Sequence, residues 1–292
     1  MKPPLAHLLA FIVVCPLLGQ TPTDAEKKQT LAYLAYLQTE DGGFRADASA
    51  EVPSLRGTSA CLRAIEHFGG KPTRVAECKK FVLSCRDDKC GGFADTPDGA
   101  PNVVLTAIGL SALVQLGVPT APYEKAAIAY MTTNAEQFEE VRMAAAGLEA
   151  IGKRSDKNAA WIEMLSKRQN ADGTFGKGKS SPRDTGGAVA CLLRLGGKVK
   201  DAKAVTGALD KGQNVDGGFG LADAKGSDLA TSYRIVRTFH MLKAKPARAN
   251  DLRRFIATCR NADGGYGATP GDASSAGGTY YASMVIHWLG KE

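Results

Sequence analysis

One turn motif recurs along the chain and constrains the fold more than any other feature. It reads Asp41-Gly42-Gly43-Phe44, Cys90-Gly91-Gly92-Phe93, Asp172-Gly173-Thr174-Phe175, Asp216-Gly217-Gly218-Phe219 and Asp263-Gly264-Gly265-Tyr266. The aromatic residues stand 49, 82, 44 and 47 positions apart. A unit of roughly 45 residues fits three of these intervals, and the long one holds two units. A degenerate copy is therefore expected at about 121–153. Asp bonds its own backbone in tight turns, and Gly takes positive φ without steric cost.

A second signature follows each turn. Thr58, Thr106, Thr185 and Thr279 each precede a glycine by eleven residues, at Gly69, Gly117, Gly196 and Gly290. Apolar residues lie between them at helical spacing, as in Ile108, Ala112 and Leu116. A glycine just beyond the last apolar residue stops a helix. The segments before the turns are amphipathic too: Val75, Cys78, Val82 and Cys85 share one helical face. Each unit reads as helix, turn, helix, with the aromatic folded back over the space between the helices. A helical hairpin cannot bury its apolar face alone, so the copies must stack. Six copies fill residues 22–292 as one domain. Periodicity alone leaves open whether the stack is an open solenoid or a closed ring.

Residues 1–19 read as a signal peptide. Lys2 is the only charge before Asp24, residues 8–18 are apolar apart from Pro16, and Gly19 is a cleavage residue. The expectation is a secreted or periplasmic chain; a retained anchor is the alternative. No other apolar run approaches the roughly 20 residues of a membrane span. The net charge is +7, and the basic residues are scattered along the chain, which reads as a solvated basic surface. No nucleic-acid motif accompanies them. Beyond the leader lie Cys61, Cys78, Cys85, Cys90, Cys191 and Cys259. In an oxidising compartment Cys85 and Cys90 are the best-placed pair for a disulfide, while buried apolar thiols are the alternative.

Phe81-Val82-Leu83-Ser84-Cys85-Arg86 with Gly91-Gly92-Phe93, and Gln213-Asn214-Val215-Asp216-Gly217-Gly218-Phe219-Gly220, resemble the repeats of protein prenyltransferase β subunits. The squalene and terpene cyclases carry similar repeats. The resemblance implies an all-α fold, an (α/α)6 toroid with six inner helices around a cavity and six outer ones. It also implies a zinc that activates a thiolate, held by an Asp and a Cys two residues apart and by a later His. Here Asp228 matches, Ala230 replaces the cysteine, and Gly278 replaces the histidine. One ligand of three does not make a four-coordinate zinc site, so no metal cofactor is expected. For the diphosphate site, Lys225 matches, whereas Ala222, Thr231 and Ser181-Pro182-Arg183-Asp184 stand where the other partners would be. The cyclases use a DxDD acid; Asp87-Asp88 lack that spacing, and aromatics are only 7% of the chain.

Other chemistry is sparse. His67, His240 and His287 fall near the ends of apolar helices, where a cation suits the helix dipole. Ser283 precedes His287 by four residues, but no acid completes a triad nearby. The Gly-Cys-Gly-Glu-Gln thioester motif is absent. Asp184 and Asp228 begin successive inner helices and are the one carboxylate pair for glycan cleavage. The leading expectation is an exported prenyltransferase-like protein without zinc chemistry that binds a ligand, an isoprenoid lipid or a protein, through its cavity or rim. The alternative is a divergent isoprenoid-handling transferase using Lys225 for diphosphate and Asp228 for metal; a glycan-active enzyme ranks below it.

Overall fold

In the computed structural model, described for residues 21–178, 181–222 and 224–290, twelve helices account for nearly all regular structure. The signal-peptide expectation for residues 1–19 lies outside the described residues. The outer helices are α1 (Asp24–Leu37), α3 (Val75–Ser84), α5 (Ala121–Asn134), α7 (Asn158–Arg168), α9 (Ala202–Lys211) and α11 (Ala249–Thr258). The inner ones are α2 (Leu55–His67), α4 (Val103–Gln115), α6 (Phe138–Ala150), α8 (Ser181–Arg194), α10 (Leu229–Met241) and α12 (Ala276–Gly290). Each inner helix packs on the next, and α12 packs on α2. The ring is therefore closed, an (α/α)6 toroid, which settles what periodicity left open. The only sheet among the described residues is a short antiparallel pair, β1 (Phe44–Arg45) and β2 (Pro53–Ser54), inside the first turn.

One hydrogen bond repeats through the ring. The buried N–H of the turn aromatic donates to a buried hydroxyl in the first turns of the following inner helix. The pairs are Phe44 to Thr58 at 2.9 Å, Phe93 to Thr106 at 3.0 Å, Phe175 to Thr185 at 2.9 Å, Phe219 to Ser232 at 3.0 Å and Tyr266 to Thr279 at 3.1 Å. Burial leaves no water to satisfy either group, so each pair fixes how far the turn folds over the helix. The turn aspartates behave as their chemistry requires. Asp41, Asp172, Asp216 and Asp263 each accept from the backbone N–H two residues on. The first glycine of each pair sits at positive φ, from 77° at Gly91 to 95° at Gly217.

The turns also join neighbouring hairpins. A side chain on Gly42 would strike the backbone of Cys78 in α3, and one on Gly217 would strike Asp251 in α11. The second glycines lie under outer-helix rings: Gly43 under Phe81, Gly92 under Tyr130, Gly218 under Phe255 and Gly265 under Tyr33. Because Tyr33 belongs to α1, the last turn meets the first helix. Thr30 Oγ1 donates to the Gly264 carbonyl at 2.7 Å, and Arg260 donates to Gln29 Oε1 at 2.7 Å, which completes the closure.

The inner helices end alike. Gly69, Gly117, Gly152, Gly196 and Lys243 all take positive φ, and the next residue donates back to the carbonyl five positions before it in the closing turn, as Val118 does to Leu113. Lys243 does this with a side chain present, at φ 56°. Gly290, expected to stop α12, is instead its last residue.

The six described cysteines are free thiols. The expected Cys85–Cys90 bridge is not formed: Cys85 is buried in the core beneath α3, and Cys90 is exposed at the turn. Burial pushes the Cys78 and Cys191 thiols up to about 12. Alkylation of the native protein followed by peptide mapping should modify Cys90 and leave Cys61, Cys78, Cys85, Cys191 and Cys259 protected. A Cys85–Cys90 cross-linked peptide would contradict the packing described. Thr106→Val keeps the shape of the side chain but strands the Phe93 N–H. It should cost about 1–3 kcal/mol in urea unfolding; an unchanged midpoint would show that the hydroxyl carries no weight.

Candidate functional site

The inner helices enclose a cavity of about 590 Å³, within the size range of small-molecule sites. Its wall is two-sided. Val104, Ala107 and Ile108 of α4 and Met143 and Ala146 of α6 form an apolar and small-residue side. The opposite side carries charge and phenols. Arg63 comes from α2, Arg194 from α8, Tyr233 and Arg237 from α10, and Tyr280 and Tyr281 from α12. Arg142 of α6 joins the basic set, and Arg56 and Asp47 stand toward the turn end. The basic residues are thus not all on a solvated surface: Arg63, Arg142, Arg194 and Arg237 line the lumen, while Arg56 is exposed and pairs with Asp95.

Some of these charges are compensated. Glu139 pairs with Arg142 at 2.8 Å and with Arg234 at 2.6 Å, linking α6 to α10 across α8. Two glycines of α8 permit that reach: Gly186 lies against Ile235, and Gly187 lies beneath the Arg234 side chain. Burial works against the Glu139 carboxylate, yet Arg234 and Arg142 hold it below its ordinary range. Glu149 pairs with Arg194 at 2.7 Å. Arg63 donates to the Tyr280 hydroxyl at 2.8 Å, which is hydrogen-bonded in turn to the Tyr233 hydroxyl. The Arg237 guanidinium lies 4.1 Å from the centre of the Tyr233 ring. Tyr233 stacks on Trp288, and the His240 ring stacks on the same indole at 5.5 Å. Low aromatic content therefore hides a local aromatic wall between α10 and α12.

The residues singled out from the sequence lie elsewhere. Lys225 is exposed in the loop before α10. Asp228 caps α10, its Oδ1 accepting from the Thr231 N–H at 2.6 Å. Ser54, Asn102 and Ser275 do the same for α2, α4 and α12, each four residues before its repeat hydroxyl. Asp184 lies in the first turn of α8 against Gly176. None of the three is among the residues lining the cavity. His67, His240 and His287 occupy the last turns of α2, α10 and α12, and the rings of His67 and His287 meet at 4.4 Å. Ser283 is buried and donates to the Tyr280 carbonyl.

The residues present do not fit the zinc of the resembled family. Ala230 is exposed and has no donor atom. At position 278 a Cβ would stand 2.3 Å from the Tyr266 carbonyl oxygen and 2.8 Å from that of Gly267. A histidine there would displace the last turn. Gly57 has the same role in α2, where a Cβ would stand 2.6 Å from the Phe44 carbonyl oxygen. Gly278 is a close-packing glycine.

The arginine wall was missed because separation in sequence hides it. One signal was present: Arg63 and Arg237 each fall five residues after a repeat hydroxyl, Thr58 and Ser232, and so occupy the same level of the ring.

The family model for the prenyltransferase alpha-alpha toroid domain matches residues 6–77, 58–141 and 123–292. No curated protein sequence matches the chain. Among solved structures, the Candida albicans protein geranylgeranyltransferase-I complexed with GGPP is similar with a TM-score of 0.65 and 16% identity, covering 80% of this chain and 83% of that one. The type II terpene cyclase MstE from Scytonema has a TM-score of 0.62 at 10% identity, covering 92% of this chain and 98% of that one. A structure described as a glycosidase has a TM-score of 0.60 at 15% identity, covering 91% and 95%. At these identities the likeness is one of fold.

Gly278→Ala should destabilise the protein by about 1–3 kcal/mol through overpacking. Gly277→Ala is its control, because a Cβ there meets only Ser275 Oγ at 4.0 Å. Equal unfolding midpoints for the two variants would contradict the close approach.

Proposed function

Because the chain belongs to the prenyltransferase α/α-toroid family, we propose that it keeps the closed ring as a ligand-binding vessel and has lost the zinc-dependent transfer. The observation that carries this reading is the open cavity of about 590 Å³ inside a ring whose metal positions hold no ligand set. Asp228, the one matching donor, serves as a helix cap of a kind found in three other repeats. A thiol becomes a strong nucleophile at neutral pH only as the thiolate. Without the metal that chemistry has no activator at this place. Binding requires only the cavity.

The transferase alternative would use Lys225 and Asp228, which sit on the loop and cap before α10 and not in the cavity wall. The glycan-cleaving alternative would use the pair Asp184 and Asp228, of which Asp184 lies against Gly176 and Asp228 caps α10. The settings of Lys225, Asp228 and Asp184, all outside the cavity lining, do not favour these readings. The apolar leader with its single lysine supports export, and a mature N-terminus near residue 20 is expected on N-terminal sequencing.

Metal analysis of the purified mature protein tests the central point. We expect far less than one zinc per chain and no rise in melting temperature on adding zinc. One tightly held zinc per chain would overturn the reading.

A further inference from the structure

Every inner helix puts a polar group into the cavity wall. Arg63 enters from α2, Ser111 from α4, Arg142 from α6, Arg194 from α8, Arg237 from α10 and Tyr280 from α12. Arg142 and Arg194 each have a glutamate. Among the described residues no carboxylate pairs with Arg63 or Arg237. Arg237 lies against ring faces, Tyr233 at 4.1 Å and Trp288 at 5.9 Å. Desolvation by the wall, and the facing cations of Arg194, Arg142 and Arg63, push its guanidinium well below the ordinary value. Arg63 and Arg237 are each the ninth residue of their helix, so the two stand at one level with no counter-charge between them.

Toward the turn end the wall offers acceptors as well as donors. Asp47 Oδ1 accepts from the Ser49 and Ala50 N–H groups, which leaves Oδ2 for a ligand. Ser275 Oγ accepts from the Gly278 N–H, which leaves its O–H to donate into the lumen. Tyr281 brings a further phenol, half-buried at the wall. A hydroxyl is both donor and acceptor, so a mixed wall of this kind suits a ligand with several of them. The apolar part of the wall comes from α4 and α6, where Ala107, Ile108, Met143 and Ala146 make one plate. It is a face for a ring to lie on, whereas a hydrocarbon chain would need apolar lining on all sides.

We infer that the cavity binds an acidic sugar of the hexuronate type. Its carboxylate is bridged by Arg63 and Arg237, its hydroxyls meet Asp47, Ser275 and Tyr281, and its C–H face rests on the α4–α6 plate. The proposal rests on the cavity-binding reading above and names its ligand class. A carboxylate presents acceptors on two sides of one plane, and the two guanidinium groups arrive from α2 and α10, the helices packed on either side of α12. One oxygen then faces each arginine. A neutral sugar would leave both cations without an anion. A fatty carboxylate would press Ser111, Asp47 and the phenols against hydrocarbon, at a cost for every polar group left unpaired. Asp47 and Ser275 precede the inner helices, whereas the arginines lie nine residues in, so the carboxylate enters first and the rest of the molecule points to the turn end. That orientation admits a free hexuronate or the terminal unit of an acidic glycan.

Titration calorimetry on the whole mature chain distinguishes these outcomes, with galacturonate and trigalacturonate as probes, galactose as the neutral comparator and decanoate as the apolar carboxylate. Galacturonate should bind, and galactose about tenfold more weakly or worse. Arg63→Gln and Arg237→Gln should each weaken galacturonate about tenfold or more, as expected for losing a charge-assisted hydrogen bond. Arg237→Lys keeps the charge and should restore part of that loss. Lys80→Gln, on the exposed face of α3, should leave binding unchanged. Tighter binding of trigalacturonate than of galacturonate assigns the site to a glycan terminus; equal or weaker binding assigns the free sugar. A second readout comes from fluorescence. Trp161→Phe leaves Trp288 as the one tryptophan, in contact with Arg237, and galacturonate should shift its emission. Adding Arg237→Gln to that variant should abolish the shift. Absence of galacturonate binding at millimolar concentration, binding indifferent to both arginines, or tighter binding of decanoate overturns the proposal. If decanoate alone binds and Ala146→Trp expels it, the cavity reading stands without the acidic sugar. If no probe binds, both fall.

Discussion

The hydrogen bond from the turn aromatic to the inner-helix hydroxyl is the contact on which the ring depends. It occurs in five hairpins with nearly the same length, between groups that are out of reach of water. A buried N–H left without a partner is costly, so the bond acts as a position sensor as well as an attraction. Once it is made, the aromatic lies between the two helices of its hairpin. The two turn residues before it face the next outer helix. At the remaining hairpin the place of the helix hydroxyl, eleven residues before Gly152, is taken by Val141, and no Asp-Gly turn precedes it. There α5 and α6 are joined by residues 135–137, and Glu140 reaches back to the N–H groups of Glu136 and Gln137. The ring tolerates one joint of a different kind because its neighbours on both sides are fixed.

This explains why so much of the architecture was legible in the sequence. The turn, the hydroxyl and the terminal glycine follow from local backbone chemistry, which repeats whenever the same geometry repeats. Closure was not legible, because it depends on the summed rotation of six hairpins and on contacts between Thr30 or Tyr33 and the last turn. Two local signals were also masked by residue identity. Ser232 serves where threonine serves elsewhere, and Lys243 adopts a conformation usually left to glycine. The candidate site was less legible still. Its residues are far apart in the chain and share only a level in the ring.

Charged residues gave opposite errors in the two directions. Asp228 matched a metal ligand of the resembled family, yet its hydrogen bond is the one that Ser54, Asn102 and Ser275 also make. The arginines read as surface charge, yet Arg63 and Arg237 point into the lumen. A residue that matches a motif must therefore be weighed against the same position in the other repeats. Asp228 fails that comparison because a cap is needed there in any case. Arg63 and Arg237 pass it, because Ser111 and Ala146 hold the same level in α4 and α6 with no charge at all.

Frame and lumen are separable for a geometric reason. Caps, hydroxyls and terminal glycines face the turns and the outer helices, so a change there disturbs two hairpins at once. Lumen positions face one another across open space. Their side chains can change charge without moving the backbone, provided that the desolvation cost is met. Glu139 and Glu149 meet it for Arg142, Arg234 and Arg194. For Arg237 only ring faces and neighbouring cations are present, and stacking offsets the loss of water less fully than a carboxylate would.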